Sequence, residues 1–289
     1  MNMIPITPTI VAEKLPFRPD DAHKGTMGTM LNISGSYSMA GACILSSLSA
    51  LKSGVGLLKT AVPKSIYPIV ASQVYEAVFL PYETKSGAVN IGFLDEALKV
   101  AESSDSVVLG CGLSLCDDST AFAEGFIKNC KTKMLIDADG INALALNINV
   151  LKEKKADVVL TPHIKEMSRL TGYSVEYILE NKVDVATQFA KEKSVIVVLK
   201  GKNTIVTDGD SVFVNPTGNS GMAKGGSGDV LSGIIGSLMA QGLSTLDASI
   251  AGVYIHGLAG DLAADELSKT SMLPSDIINC LPQIFKAIE

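Results

Sequence analysis

Tryptophan is absent from the 289 residues, aromatic residues reach only 5%, and charged side chains only 19%. Apolar residues make up 47%. That share excludes a disordered chain or a coiled coil, because it is ample for a large core. There is no excess of positive charge: 24 Lys+Arg face 30 Asp+Glu, for a formal charge of −6. The balance argues against nucleic acid or an anionic membrane as the main partner. It leaves room for an anionic small molecule at a local positive site.

No block of 20 residues is purely apolar. The most lipid-like stretch, 230–260, is interrupted by Gln241, Asp247 and His256. It reads better as two buried helices than as a membrane span. The N-terminal residues lack a basic segment followed by an apolar core, so no secretory signal is expected. The five cysteines are odd in number, and only Cys111 and Cys116 lie close together, with no matching His/Cys pair elsewhere. Reduced thiols in a cytoplasmic protein follow. Internal repeats, charge blocks and long Pro/Ser linkers are missing too, which leaves one domain over 1–289 as the expected partition.

What is present is alternation. Short β-branched runs at 30–33, 57–62, 74–80, 106–109, 133–136, 157–160 and 195–199 predict strands, several apolar at consecutive positions as in strands covered on both faces. Helical patterns at 40–52, 93–102, 120–129 and 183–192 lie between them. An α/β fold with a mostly parallel central sheet follows. Residues 203–214 break the rhythm with two alternating runs joined at Asp208-Gly209, a late β-hairpin signal. Helices at 230–240, 247–267 and 275–287 complete the expected order.

The most informative loop is NPTGNSGMAKGGSGD at 215–229, with five glycines in fifteen residues directly before an apolar helix. Glycines let backbone N–H groups converge, and a helix start adds partial positive charge, which together suit a phosphate. The two common phosphate signatures, GxxxxGK(S/T) and GxGxxG after a first strand, are absent. A flexible glycine hinge is the bland alternative. Asp229, in the first turn of that helix, is placed either as a cap or as a general base beside a phosphoryl group being transferred; the glycine context favours the base.

Other loops follow strand ends, where parallel sheets place ligands. In Thr161-Pro162-His163, His163 suits a polar substrate, and Glu166 suits Mg²⁺ directly or through water; a surface histidine and a dipole-favoured glutamate are the rivals. Lys200-Gly201 either grips a nucleotide phosphate or forms a plain turn. Gly110 and Gly112 allow close approach of a ligand. Asp137 and Asp139 read more readily as caps of the next helix than as a metal or polar-contact site, and His256 as a satisfied core histidine.

In order, His23-Lys24-Gly25, Gly35-Ser36, Gly41-Ala42, Gly110-Cys111-Gly112-Leu113, Asp137-Ala138-Asp139, Thr161-Pro162-His163, Lys200-Gly201 and the run from Gly221 to Gly242 form a set. The chain resembles the ADP-dependent NAD(P)H-hydrate dehydratases, repair enzymes of the ribokinase superfamily, over roughly residues 20–285. The resemblance implies a ribokinase-like α/β/α sandwich. It also implies dehydration of the S-form of NADHX or NADPHX, with ADP (or ATP, in some members) consumed and AMP and phosphate released, and with Mg²⁺ required. By resemblance, Ala42, Gly112, His163 and Asp229 contact the hydrate, and Asp229 is the catalytic base. Lys200, Gly201, Lys202, Asn203, Thr204 and Gly228 contact the nucleotide, with Gly225, Gly226 and Ser227 completing the phosphate loop. Glu166 is the expected Mg²⁺ anchor.

A homotetramer is expected on the same ground. Since about 20 residues precede His23, epimerisation of the substrate is expected from a separate protein or to occur spontaneously. The chain departs from the family pattern at Cys111 and Ser114, which stand where proline and glycine are usual, at Ile164-Lys165 after the histidine, and at Ser220 and Lys224. The alternatives are a small-molecule kinase, for a vitamin precursor or sugar, and a silent ADP sensor.

Overall fold

Strands covered on both faces need apolar side chains at successive positions, and the runs ending at Leu109, Ile136, Leu160 and Leu199 meet that demand. The computed structural model describes residues 3–288. Its strands are β1 (Met3–Pro5), β2 (Thr29–Ile33), β3 (Leu57–Pro63), β4 (Val78–Tyr82), β5 (Ser106–Leu109), β6 (Met134–Ile136), β7 (Val158–Leu160), β8 (Ile196–Leu199), β9 (Ile205–Thr207) and β10 (Val212–Val214). All ten join one sheet in the order β1-β10-β9-β8-β7-β6-β5-β2-β3-β4. Only the pairs β8–β9 and β9–β10 are antiparallel. The expected mostly parallel sheet with a late hairpin is therefore observed. The hairpin turn takes four residues, with Asp208 Oδ1 accepting the N–H groups of Asp210 (3.0 Å) and Ser211 (2.7 Å).

Among the described residues, twelve α-helices flank the sheet: α1 (Pro8–Lys14), α2 (Ala40–Lys52), α3 (Tyr67–Ala71), α4 (Leu94–Glu102), α5 (Asp117–Asn129), α6 (Ala138–Leu146), α7 (Ile164–Thr171), α8 (Val175–Glu180), α9 (Lys182–Lys193), α10 (Ser227–Ala240), α11 (Thr245–Leu267) and α12 (Pro274–Ile288). Strand residues alternate between two cores. Val107, Leu109, Met134, Ile136, Val158 and Leu160 face the core built with α4–α9. Val108, Leu135 and Val159 face the core built with α1–α3 and α10–α12. The period of two along each strand thus produces the three-layer α/β/α sandwich. None of the described helices is long and apolar enough to cross a membrane.

One expectation needs correction. The apolar run at 74–80 does not start a strand: β4 begins at Val78. Val74 instead closes the turn after α3, donating its N–H to Val70 O (3.0 Å) and burying its side chain completely. The N-terminal segment also forms β1 and α1, with Thr7 capping α1 and Pro8 in its first turn.

Helices α2 and α10 approach closely through small residues. A Cβ placed on Gly233 would lie 2.0 Å from Ser49 Oγ and 2.2 Å from the Ser46 carbonyl oxygen. One on Gly236 would lie 2.3 Å from Val108 Cγ2. Gly233→Ala must push backbone against backbone, so we expect a loss of about 1–3 kcal/mol. Thermal unfolding should show it as a drop of several degrees, and an unchanged midpoint would mean that the two helices separate freely.

Candidate active site

The sheet order reverses between β2 and β5: β3 and β4 lie to one side of β2, while β5–β8 run off on the other. The crevice at the carboxyl ends of that strand pair is where open α/β sheets hold ligands. The two loops leaving it are tied together, with Gly35 N–H donating to Cys111 O (2.8 Å) and Ser36 Oγ lying 2.9 Å from Ser114 Oγ. Gly112 has φ +65°, and a Cβ there would meet Ala42 Cβ at 2.7 Å. Two of the four positions expected on the hydrate, Ala42 and Gly112, therefore form one shared wall.

The glycine loop runs into α10 beside that wall. Gly226 takes φ +103° at the N-cap, and any side chain on it would strike Leu45 Cδ1 at 2.7 Å. Among the described residues, no protein acceptor meets the N–H groups of Gly225, Gly226, Gly228 or Asp229. These free donors at the positive end of a 14-residue helix form an anion cradle. The loop is not a hinge. Asn215 Nδ2 donates to Val253 O (3.0 Å), Thr217 Oγ1 to Tyr254 O (3.1 Å), and Gly218 N–H to Asp261 Oδ2 (2.9 Å). Lys224 is spent on structure as well, donating to the carbonyls of Thr270 (2.8 Å) and Met272 (2.6 Å).

Beneath the cradle lies a cluster of charges. Asp137, 1% exposed, accepts from Lys200 Nζ on Oδ1 (2.7 Å) and from Ser232 Oγ on Oδ2 (2.8 Å). Burial works against its ionisation, but Lys200 and these hydrogen bonds outweigh it and hold its carboxyl below the usual range. Lys200 answers in kind: burial disfavours its charge, while Asp137 and Glu166 raise its pKa. A Cβ on Gly228 would sit 3.4 Å from Lys200 Nζ, so the ammonium lies directly under the helix start. Asp229 has its pKa pushed up to about 7, first by burial and then by the charge of Asp137.

The histidine loop is fused to the end of β8. Lys200 N–H donates to Pro162 O (2.8 Å), and His163 and Lys200 pair as a parallel bridge. His163 and Glu166 form a capping box for α7. Glu166 N–H donates to His163 Nδ1 (3.1 Å), and His163 N–H donates to Glu166 Oε2 (2.8 Å). Because Nδ1 accepts, the proton of the neutral ring sits on Nε2. The neutral form is favoured by burial and by Lys200, which both lower the histidine pKa.

The structure brings Asp137, Lys200, Gly228 and Asp229 together, with His163 and Glu166 adjoining. It leaves Lys202 and Asn203 on an exposed turn closed by Thr204 Oγ1 donating to Gly201 O (3.0 Å). Three residues escaped their sequence readings. Asp137 makes no capping bond to α6, since its carboxylate is turned into the cluster. The Cys111 thiol is fully buried against Asp229, its pKa driven up by burial and then by that carboxylate. His256 is buried as expected but not satisfied: its Nε2 has no partner, like the nearby Ser227 Oγ. Burial and Lys200 push its pKa down to about 4. The clue to Asp137 was its place directly after a buried strand; Cys111 and His256 carried no local signal.

The fit to a divalent metal is poor. Glu166 has its Oε2 on the His163 N–H and faces Lys200 Nζ at 4.0 Å, so the expected Mg²⁺ anchor is already engaged. The potential ligands that do converge are Cys111, Asp137 and Asp229, with atoms all within 4.8 Å of one another. A buried protonated thiol is a poor partner for Mg²⁺, which prefers oxygen, and the Lys200 ammonium already neutralises Asp137.

Residues 30–283 match the family described as NAD(P)H-hydrate dehydratase. The chain is 40% identical to a bifunctional NAD(P)H-hydrate repair enzyme of Thermofilum pendens, over 95% of this chain and 53% of that protein. It spans about half the length of this and similar bifunctional relatives. It is 31% identical to the ADP-dependent (S)-NAD(P)H-hydrate dehydratase of Bacillus subtilis, over the whole of both. Among solved structures, the ADP/ATP-dependent NAD(P)H-hydrate dehydratase of Bacillus subtilis, co-crystallised with ATP and Mg²⁺, superposes with a TM-score of 0.85 at 29% identity, over 100% of both chains.

Proposed function

The chain belongs to the NAD(P)H-hydrate dehydratase family and has a ribokinase-like fold, and from that premise we propose that it repairs the S-form of NADHX and NADPHX, consuming ADP and releasing AMP and phosphate. The observation that carries this is Asp229: a carboxylate with its pKa near 7, in the first turn of a helix with unpaired N–H donors, beside a wall without bulky side chains. ATP is the alternative donor.

Hydroxide is a poor leaving group, so the ring hydroxyl is phosphorylated first. Asp229 takes the hydroxyl proton as the oxygen attacks the terminal phosphorus of the nucleotide, and the free N–H groups of Gly225, Gly226 and Gly228 stabilise the charge on the moving phosphoryl group. The ring nitrogen lone pair then expels phosphate, and loss of a proton from the adjacent ring carbon restores the double bond. Ala42 and Gly112 let the ring approach, and neutral His163 offers Nε2–H to a polar group of the hydrate. The end of β8, from Lys200 to Thr204, receives the nucleotide together with Gly225, Gly226, Ser227 and Gly228. Mg²⁺ belongs to this reading only as a companion of nucleotide phosphates. One domain over 1–289, a cytoplasmic location and a homotetramer complete it.

The test is to supply NADPHX with ADP or ATP and follow recovery of dihydronicotinamide absorbance together with free phosphate. A stable phosphate ester without recovery would instead mark a small-molecule kinase. Nucleotide binding without any product would mark a sensor. Since Asp229 must be ionised to act, kcat/KM should fall roughly tenfold per pH unit on the acid side of about pH 7. A flat profile down to pH 5.5 would remove Asp229 from the base role.

A further inference from the structure

Two buried carboxylates flank one ammonium at the floor of the phosphate cradle. Asp137 and Glu166 are 1% and 5% exposed, and Lys200 Nζ lies 2.7 Å from the first and 4.0 Å from the second. Asp137 and Lys200 directly follow β6 and β8, and Glu166 stands in the first turn of α7 just beyond β7, so the ammonium is held over the middle of the sheet. An unpaired buried carboxylate is costly, and a buried pair of them needs a cation. Here the chain supplies its own.

We infer that Lys200 is the resident cation of this pocket, occupying the place between Asp137 and Glu166 that a protein-bound divalent metal would otherwise take. The ammonium balances Asp137 through a direct hydrogen bond and points its charge at Gly228, under the position of the transferred phosphoryl group. Without nucleotide, the protein has no divalent site; any metal enters on the phosphates. The inference deepens the reading of this pocket as a phosphoryl-transfer site, and its test needs no turnover.

The experiment titrates nucleotide-free protein with Mn²⁺ alone and reads the free-ion signal by electron paramagnetic resonance. Wild type should leave that signal unchanged. Lys200→Met keeps the stem and removes the charge, exposing two carboxylates to one another, and should bind Mn²⁺ at least ~tenfold more tightly than wild type. The gain should vanish in the double variant with Asp137→Asn. Two results overturn the inference: nucleotide-free wild type that binds Mn²⁺ and loses it in Glu166→Gln, or folded Lys200→Met that binds no better than wild type. Should Lys200→Met not fold, the comparison of wild type with Glu166→Gln decides alone, and an absence of binding in both upholds it. Failure of the dehydratase assay would leave these outcomes unaffected, so the two readings fail separately.

Discussion

Asp229→Asn is expected to lower kcat by roughly 10²–10⁴-fold while leaving the affinity for ADP nearly unchanged. The nucleotide is held by backbone donors and by the end of β8, whereas the carboxylate is needed only when the hydroxyl proton leaves. The same substitution should stabilise the fold at neutral pH. The Asp229 pKa is raised from 3.8 to about 7 in the folded protein. As pH rises through that interval, the unfolded chain loses this proton while the folded chain keeps it. Stability therefore falls with pH, and the loss is complete above about 7. Asparagine has no proton to lose, so the stability difference between variant and wild type should grow from pH 4 to 7 and then level off. A gain of about 1 kcal/mol would move the melting midpoint by roughly 2–4 °C in a domain of this size. Full turnover in the variant would sink the mechanism; lost turnover with lost ADP binding would reassign Asp229 to the nucleotide.

Asp137→Asn should be the most damaging single change to the floor of the site. It takes from the Lys200 ammonium its hydrogen-bonded carboxylate, leaving only the more distant Glu166 at 4.0 Å, and leaves Ser232 facing an amide. Removing one partner of a buried pair costs about 3–5 kcal/mol, and the lower end applies because the Lys200 side chain keeps 20% of its exposure. A second effect separates this residue from a merely structural one. The charge of Asp137 is the second cause, after burial, of the raised Asp229 pKa. Its removal should lower that pKa and shift the acid limb of kcat/KM to lower pH. An unchanged melting midpoint would show that the pair contributes nothing, and an unshifted limb that the two carboxylates do not sense each other.

The frame was legible where local pattern and burial coincide. β5, β7 and β8 are short apolar runs, and the hairpin carries its own turn signal at Asp208-Gly209. β1 was not legible, because a three-residue strand owes its existence to its neighbour β10 and not to its own sequence. The run at 74–80 misled because a buried valine in a turn and a buried valine in a strand look alike in one dimension. In the site, the glycine loop and Asp229 lie within fifteen residues of each other and could be read together. Asp137 and Lys200 are 63 residues apart, and each has a complete local explanation, as a cap and as a turn. Only the placing of β6 and β8 on either side of β7 brings them together, and only the length of a lysine side chain spans the gap.

The pairing of β1 with β10 also dictates an order of events. Met3 aligns with Val212, and α1 packs on α11, where Lys14 meets Asp247. During synthesis the first of these partners emerges from the ribosome long before the second, so the N-terminal segment waits unpaired while the middle of the sheet forms. Contacts between such distant parts of a chain are slow to close. Until they do, β10 shows a bare edge to its surroundings, the kind of edge on which chains stick to one another. The edge at β10 thus depends for its cover on residues that lie at the opposite end of the chain.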